Sequence, residues 1–377
     1  MSKKYSLFLT VLFCAFLGLM VTANALTPDK DFSDLENRPL SQRPALSWKA
    51  VRTGDFMSDY ESYITDQFAG RDGWTAAKAF SEKLVGKQEN NGVYFCDDST
   101  LITRFEAPDE KRLTNNFNYV NRFTEKAGVP VTFGLIPTQA SIWAHKLPQG
   151  APNYDQNLVM AQAAQSVNAN FVDLTAILAQ HKDESIFYRT DHHWTSLGAY
   201  YGYVGLAEAL GYDPVPLESY QKTTVSTEFY GTVFSSSGVR WVKPDEMDVY
   251  VPEEGITVVS HTYDSKGNPV EEPRELYDES FLAKKDKYSM FLGGQQSLGV
   301  VTTGNTDKPK LLLIRDSYSD SLLPFLTPHF SEIHLMDFRY CKLSPAQYIQ
   351  DNNIDQALVL YSVPNFVSDA NLLWIGR

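Results

Sequence analysis

Three apolar runs near the C-terminus, KPKLLLIRD (308–316), EIHLMDF (332–338) and QALVLYS (356–362), are separated by amphipathic stretches at 319–326 and 344–352. Runs this short and this apolar need cover on both faces, and strands joined by helices pair in parallel. The same rhythm begins earlier, with a helix at 108–127, the strand VPVTFGLIP (129–137), a helix at 155–168, the strand NFVDL (170–174) and a helix from Thr195 to Leu210 that stops at Gly211. The expected fold is α/β: a mostly parallel sheet covered by helices on both faces. GVYFCDDSTLITRF reads as a hairpin turning at Asp97-Asp98. Residues 212–288 break the rhythm with Pro, Asp, Glu, Thr and Tyr and short β-like runs, and are expected as a β-rich insertion or lid.

The N-terminus has a different character. Lys3 and Lys4 precede an apolar run that ends in Ala23-Asn24-Ala25, the small-x-small pattern of a signal-peptidase site. Residues 1–25 are therefore expected to be a signal peptide, with an uncleaved membrane anchor as the alternative, and the chain is expected outside the cytoplasm, secreted, at the cell surface or periplasmic. Residues 26–90 read as a polar, proline-bearing linker followed by a helical extension with Phe56, Tyr60, Tyr63, Ile64, Phe68 and Phe80 near helical spacing. Residues 91–377 are expected to form one α/β domain that would carry any catalytic residues, with the insertion at about 212–288. The formal charge of −13 argues against nucleic acid or an anionic membrane surface as partner. Aromatic content of 13% leans toward a carbohydrate groove. Cys96 and Cys341 lie far apart and no Cys-x-x-Cys spacing exists, so a thiolate zinc site is not expected.

Ligands of such sheets gather at the carboxyl ends of strands. LLLIRDSYSDSLLPF puts Ser317 there, at a strand-to-helix turn where free N–H groups of the following helix can hold an oxyanion. Ser317 or Ser319 also reads simply as a helix cap. FYRTDHHWTSLGAYYGY places Asp191, His192, His193 and Trp194 in a loop before a helix capped by Thr195 or Ser196. A serine nucleophile needs a base and an acid that fixes the base's tautomer, and Asp-x-His supplies both from one turn. Structural histidines and a metal site are the competing readings. His145, His181, His261, His329 and His334 form no ligand spacing, so neither metal nor cofactor is expected.

YRTDHHWTSLGAYYGY, FYGTVF, KYSMFLGGQQ, LLLIRDSYSDSLLPFL and MDFRYC, with ENRPLS…YITDQFAGRDGW and NNGVYF upstream, together resemble the DHHW family. That family is similar to the AlgJ and AlgX alginate O-acetyltransferase proteins of the SGNH-hydrolase-like superfamily. The resemblance implies an extracytoplasmic three-layer α/β/α sandwich with a Ser-His-Asp triad, falling here on Ser317, His193 and Asp191. His192 is then a neighbour. Gly294, Gln295 and Gln139 are the oxyanion candidates, against an ordinary glycine turn at 293–294; the family often has asparagine where this chain has Gln295. Arg339 resembles a family arginine that holds a carboxylate or sugar oxygen, with a surface salt bridge as the alternative. Trp194 is either a substrate contact or core packing beneath the loop.

The implied function is transfer of an acetyl group through Ser317 to a hydroxyl of a cell-surface or exported polysaccharide. An exported protein has no acetyl-CoA supply, so the implied partner is a membrane-bound O-acyltransferase. A carbohydrate esterase using the same triad and a non-catalytic polysaccharide-binding protein are the alternatives.

Overall fold

Eight strands make the central sheet, and five of them are parallel, in the spatial order Asn170–Asp173, Val131–Ile136, Gln356–Ser362, Lys310–Arg315 and Glu332–Met336. The computed structural model describes residues 3–33, 35–36, 38–252, 255–263 and 269–377. They form two units: residues 1–91 with 235–240, and residues 92–234 with 241–377, which hold the sheet. Leu311, Leu312, Leu313 and Ile314 are wholly buried, as expected for a strand covered on both faces. On one face Glu110–Lys126 packs with Gln156–Ser166, Pro345–Asn352 and Val363–Ser368. On the other, Ser196–Leu210 packs with Thr175–Gln180 and Tyr318–Leu326. The result is a three-layer α/β/α sandwich.

Local chemistry sets the helix ends that frame the site. Asp109 accepts from the Arg112 N–H at 2.8 Å to start Glu110–Lys126, and Thr195 accepts from Gly198 N–H at 3.2 Å to start Ser196–Leu210. The latter helix stops at Gly211, whose φ of 74° suits glycine. Inside it, Gly202 lets the backbone close on Trp194: a Cβ there would meet the indole at 2.6 Å.

The segment 212–288, expected as a β-rich insertion or lid, is β-rich, but only part of it stands apart from the central sheet. Gln221–Phe229 and Asp245–Val251 do form their own antiparallel pair. However, Thr257–Tyr263 and Pro269–Arg274 extend the central sheet itself, antiparallel, through Leu298–Thr302 to Glu332–Met336. Alternating one-sided runs such as ITVVSHTY suit an antiparallel sheet edge, which the parallel rhythm of the remaining strands obscures. Residues 253, 254 and 264–268 of this segment lie outside the described residues. Cys96 and Cys341 are free thiols.

In the smaller unit, Lys3–Leu26 is a helix of 24 residues, unburied along its length. At about 1.5 Å per residue it is long and apolar enough to cross a membrane, a property that a signal sequence near an N-terminus shares. The expected helical extension is three helices, Trp48–Thr53, Asp55–Asp66 and Arg71–Leu84, broken at Gly54 and Gly70, both with positive φ. Arg38 grips the Asp66 carboxylate through Nη1 and Nη2 at 2.9 and 2.6 Å, and Arg71 Nη2 meets Glu36 at 2.8 Å. The ENRPLS and YITDQFAGRD stretches are thus the two halves of an ion-pair network.

Candidate active site

Ser317 ends the turn after Lys310–Arg315 and occupies the N-cap of Tyr318–Leu326 in helical conformation, making no side-chain cap bond. Its hydroxyl therefore stays available, and it lies 2.8 Å from His193 Nε2. His193 Nδ1 lies 2.6 Å from Asp191 Oδ1. Because Asp191 is held as an acceptor, Nδ1 carries the proton and Nε2 accepts from the Ser317 hydroxyl.

The carboxylate of Asp191 is fully used. Oδ1 accepts from the His193 N–H (3.0 Å) and Nδ1, while Oδ2 accepts from the Thr232 N–H (2.7 Å) and hydroxyl (2.9 Å). Burial by itself would raise its pKa, but His192 and His193 beside it and these hydrogen bonds outweigh that and hold it well below the usual carboxylate range. Gly231 makes the approach of Thr232 possible, since a Cβ on it would come within 2.2 Å of the Asp191 carboxylate. FYGT is thus an acid-binding turn.

His192 takes a different place. Its ring lies beside that of His193, with centroids 3.8 Å apart and planes tilted by 37°; Nδ1 is 2.6 Å from the Thr232 hydroxyl oxygen, and the side chain is 39% exposed. The Thr232 hydroxyl donates to Asp191 and so accepts from His192. Asp191, His192 and His193 have ligand atoms close enough for a metal. Asp191, however, already accepts four hydrogen bonds, which leaves it no lone pair for an ion without dismantling the cluster.

Several elements hold this geometry that the sequence reading did not single out. Tyr288, on the 3₁₀ turn Lys287–Met290, lies flat on the His193 ring. Asp316 fixes the serine turn: Oδ1 accepts from the Tyr318 N–H at 3.0 Å, and Oδ2 from Ser362 N–H and hydroxyl and from Asn365 Nδ2 at 2.7–2.8 Å. Asp245 Oδ2 accepts from the Thr190 N–H at 2.8 Å and pins the start of the histidine loop. Nothing in a linear reading brings Tyr288 or Asp245 to residues 190–193, or Ser362 and Asn365 to Asp316.

The oxyanion expectations need correction. The N–H groups of Tyr318, Ser319 and Asp320 are already donated to Asp316 Oδ1, the Asp316 carbonyl and the Ser317 carbonyl, so the following helix has none free in its first turn. The Ser317 N–H donates to no described residue. Gln139 is also committed: its Nε2 lies 2.7 Å from the Asp191 carbonyl and also donates to the Tyr188 carbonyl. It braces the histidine loop rather than facing a substrate. Gly294 gives its N–H to Phe291 O at 3.4 Å, and its φ of 88° marks a glycine turn. Gln295 is exposed, with Oε1 accepting from the Tyr340 hydroxyl at 2.5 Å.

Trp194 is fully buried and donates Nε1–H to the Tyr318 carbonyl at 2.8 Å. It is core packing that ties the histidine loop to the serine helix, not a substrate platform. Arg339 pairs with buried Asp337 through Nε and Nη2 at 2.6–3.1 Å, leaving Nη1 without a partner among the described residues. Arg339 lies close enough to help lower the His192 pKa, after desolvation and His193. Beneath the serine helix, Arg315 and Asp320 form a buried ion pair. Desolvation raises Asp320 to about 6 against the opposing pull of Arg315 and His193.

This sheet, with its serine turn at a strand end, is an SGNH-hydrolase-like fold. Residues 151–336 match the model of the DHHW family, described as DHHW protein, the family that the motifs resemble. A crystal structure of a DHHW family protein from Eubacterium siraeum is 29% identical, with a TM-score of 0.65 over 76% of this chain and 95% of that one. Bacillus cereus PatB1, at 19% identity, shares the fold with a TM-score of 0.62 over 76% of this chain and 99% of its own. The chain is 27% identical over 169 residues to the probable alginate O-acetylase AlgJ of Pseudomonas aeruginosa, and spans 41% of that relative's length.

Proposed function

We propose that this chain is an extracytoplasmic O-acetyltransferase that carries an acetyl group on Ser317 and passes it to a hydroxyl of an exported or cell-surface polysaccharide. The observation that carries the reading is the continuous chain from Asp191 to His193 to Ser317, at 2.6 and 2.8 Å. A serine hydroxyl hydrogen-bonded to an imidazole whose other nitrogen is held by a carboxylate is poised for nucleophilic attack. The similarity to a probable alginate O-acetylase supports acetyl transfer and a polysaccharide acceptor.

In the first half-reaction Ser317 Oγ attacks the acetyl carbonyl carbon while His193 Nε2 takes its proton. The oxyanion forms beside the Ser317 N–H, the main-chain donor that the turn leaves free. Collapse breaks the bond to the donor's leaving group, which receives the proton from His193 and departs, leaving acetyl-Ser317. In the second half-reaction a sugar hydroxyl attacks that ester, His193 takes the hydroxyl proton, and the proton returns to Ser317 Oγ as the acetylated sugar leaves. Asp191 stays ionised throughout and stabilises the imidazolium. A membrane-bound O-acyltransferase is the proposed source of acetyl groups, since the reaction needs an activated ester on the outer side.

The test uses p-nitrophenyl acetate as donor. Wild type is expected to give a burst of p-nitrophenol, slow turnover in water, and faster turnover with acetyl placed on the sugar when an oligosaccharide is added. Ser317→Ala is expected to lose the burst and keep the fold, the missing hydroxyl making no cap bond. A burst that survives Ser317→Ala rejects the nucleophile. Rapid hydrolysis with no acetylated sugar across several polymers replaces transfer by the esterase reading.

A further inference from the structure

With Trp194 buried, the aromatic that faces solvent at the strand ends is Tyr340. It is 48% exposed, and among the described residues of the larger unit no other Phe, Tyr or Trp is classed as exposed. Its position follows from the sheet. Glu332–Met336 runs parallel to the serine strand with Met336 opposite Ile314. Adjacent strands are about 4.8 Å apart, so the turn carrying Tyr340 leaves the sheet beside the turn carrying Ser317.

Tyr340 is held rather than loose. Its N–H and that of Cys341 donate to the Asp337 carbonyl at 3.0 and 2.8 Å, closing the turn. Its hydroxyl donates to Gln295 Oε1, across from the glycine turn 293–294. The Arg339 guanidinium stands over the ring at 5.5 Å from its centroid. Both flanking side chains keep an unused donor among the described residues: Gln295 Nε2, whose oxygen is committed to Tyr340, and Arg339 Nη1, whose other nitrogens are committed to Asp337.

A fixed aromatic face between two free N–H donors matches one ligand chemistry well. A pyranose ring presents an apolar face of C–H groups and a rim of oxygens; the first suits the tyrosine ring and the second the amide and guanidinium. We propose that Tyr340, flanked by Gln295 and Arg339, forms a subsite for one pyranose ring of the acceptor, next to the acetylated serine. The proposal rests on the polysaccharide acceptor of the reading above. It gives Gln295 a binding role in place of oxyanion stabilisation and gives Arg339 a partner beyond Asp337.

The probes are a hexamer of mannuronic acid and cellohexaose, offered to the full chain and to Tyr340→Ser, Tyr340→Trp and Gln295→Ala. Saturation-transfer NMR reads which sugar protons touch the protein, and acceptor-dependent turnover is divided by the p-nitrophenyl acetate burst. Tyr340→Ser is expected to lose transfer to the sugar C–H face and to lower the turnover-to-burst ratio about tenfold, the scale of one aromatic contact. Tyr340→Trp should restore both, and Gln295→Ala should lower the ratio severalfold. Preference for the mannuronate hexamer, abolished by Arg339→Gln, assigns a carboxylate to Arg339; equal use of both hexamers assigns it a hydroxyl. Either result supports the subsite. An unchanged ratio and unchanged saturation transfer in Tyr340→Ser, or no saturation transfer from wild type to either hexamer, overturns it. Loss of the wild-type burst strikes the acyl-transfer reading alone, because the NMR arm still reads the subsite.

Discussion

The ring of Tyr288 lies on the imidazole of His193 with centroids 3.7 Å apart and planes inclined by 5°. The same side chain donates its hydroxyl to the carbonyl of Ser317 at 3.1 Å, with the Ser321 hydroxyl 3.2 Å away. One residue therefore touches both ends of the base–nucleophile hydrogen bond. Burial raises its phenol well above its ordinary pKa, so it remains a neutral donor. Tyr288→Phe should keep the stack and lose the tether, lowering the p-nitrophenyl acetate burst rate a few-fold. Tyr288→Leu removes the ring as well, and stacked aromatic pairs are worth about 0.5–1.5 kcal/mol. Its burst rate should fall about tenfold, so equal rates in the two variants would remove the stack from the account.

The two adjacent histidines should separate cleanly. His193→Ala removes the group between Asp191 and Ser317 and is expected to lower the burst rate roughly 10³-fold or more, as for triad members generally. His192→Ala removes only a partner of Thr232 at the half-exposed edge of the cluster, and a loss of a few-fold is expected. Burst rates of the two purified variants decide this. Equal losses would point to a metal or to a wrong assignment of the base, and metal analysis of the purified protein would tell these apart.

Two glycines make the same kind of close contact with opposite consequences. A Cβ at Gly231 would press on the Asp191 carboxylate at 2.2 Å, and one at Gly202 would press on the Trp194 indole at 2.6 Å. Gly231→Ala moves the acid that orients the base, and a displacement of about 1 Å in such a group costs on the order of 10²-fold in rate. Gly202→Ala overpacks the core and should cost about 1–3 kcal/mol of stability, with the burst largely kept. Urea midpoints and burst rates on both variants give the comparison. A Gly231→Ala enzyme with full burst rate would show that the FYGT turn yields without moving Asp191.

The buried pair Arg315–Asp320 makes a stability prediction. Breaking such a pair leaves one uncompensated charge and typically costs about 3–5 kcal/mol, whereas replacing both partners with apolar residues is close to neutral. Arg315→Met alone should therefore lower the urea midpoint strongly, and Arg315→Met with Asp320→Leu should recover most of the loss. A double variant as unstable as the single one would mean that the pair is stabilising in its own right.

Asp320 also sets a pH dependence. Its folded pKa is raised to about 6, so between its ordinary range near 4 and about 6 the folded chain holds a proton that the unfolded chain has released. Stability from this group falls as pH rises through that window and levels off above it. Asp191 acts in the opposite sense: its depressed pKa gives stability that is present above pH about 4 and lost as pH falls further. Burial lowers His192 and His329 to about 4, so they add stability as pH rises over the same range. Urea midpoints from pH 4 to 7 should therefore rise more steeply in Asp320→Asn, which lacks the opposing Asp320 contribution, than in wild type. An identical slope in the variant would reject the raised Asp320.

Legible in the amino-acid sequence are the parallel part of the sheet and the two segments, around 191–193 and around 317, that the fold brings within hydrogen-bonding distance. KLLLIR, EIHLM and QALVLYS are apolar through their length and fit only strands covered on both faces, and Asp-x-His and the strand-end serine carry their chemistry in residue type and local spacing. Tertiary structure decided everything that depends on which distant groups meet. Trp194 became core because Gly202 leaves room for its indole. Gln139 became a brace because the carbonyls of Tyr188 and Asp191 come to it. The helix N–H groups proved unavailable because Asp316 folds back onto the turn, and strands from 257–274 joined the sheet edge because open backbone donors there needed partners. The motifs KYSMFLGGQQ, FYGTVF and MDFRYC contain Tyr288, Thr232 and Tyr340 but do not carry their roles, since ring stacking, hydrogen bonding and exposure are properties of neighbours in space. A chain encodes which groups are present and how each segment repeats; which of those groups are already satisfied, and so which remain free to act, is settled only by packing.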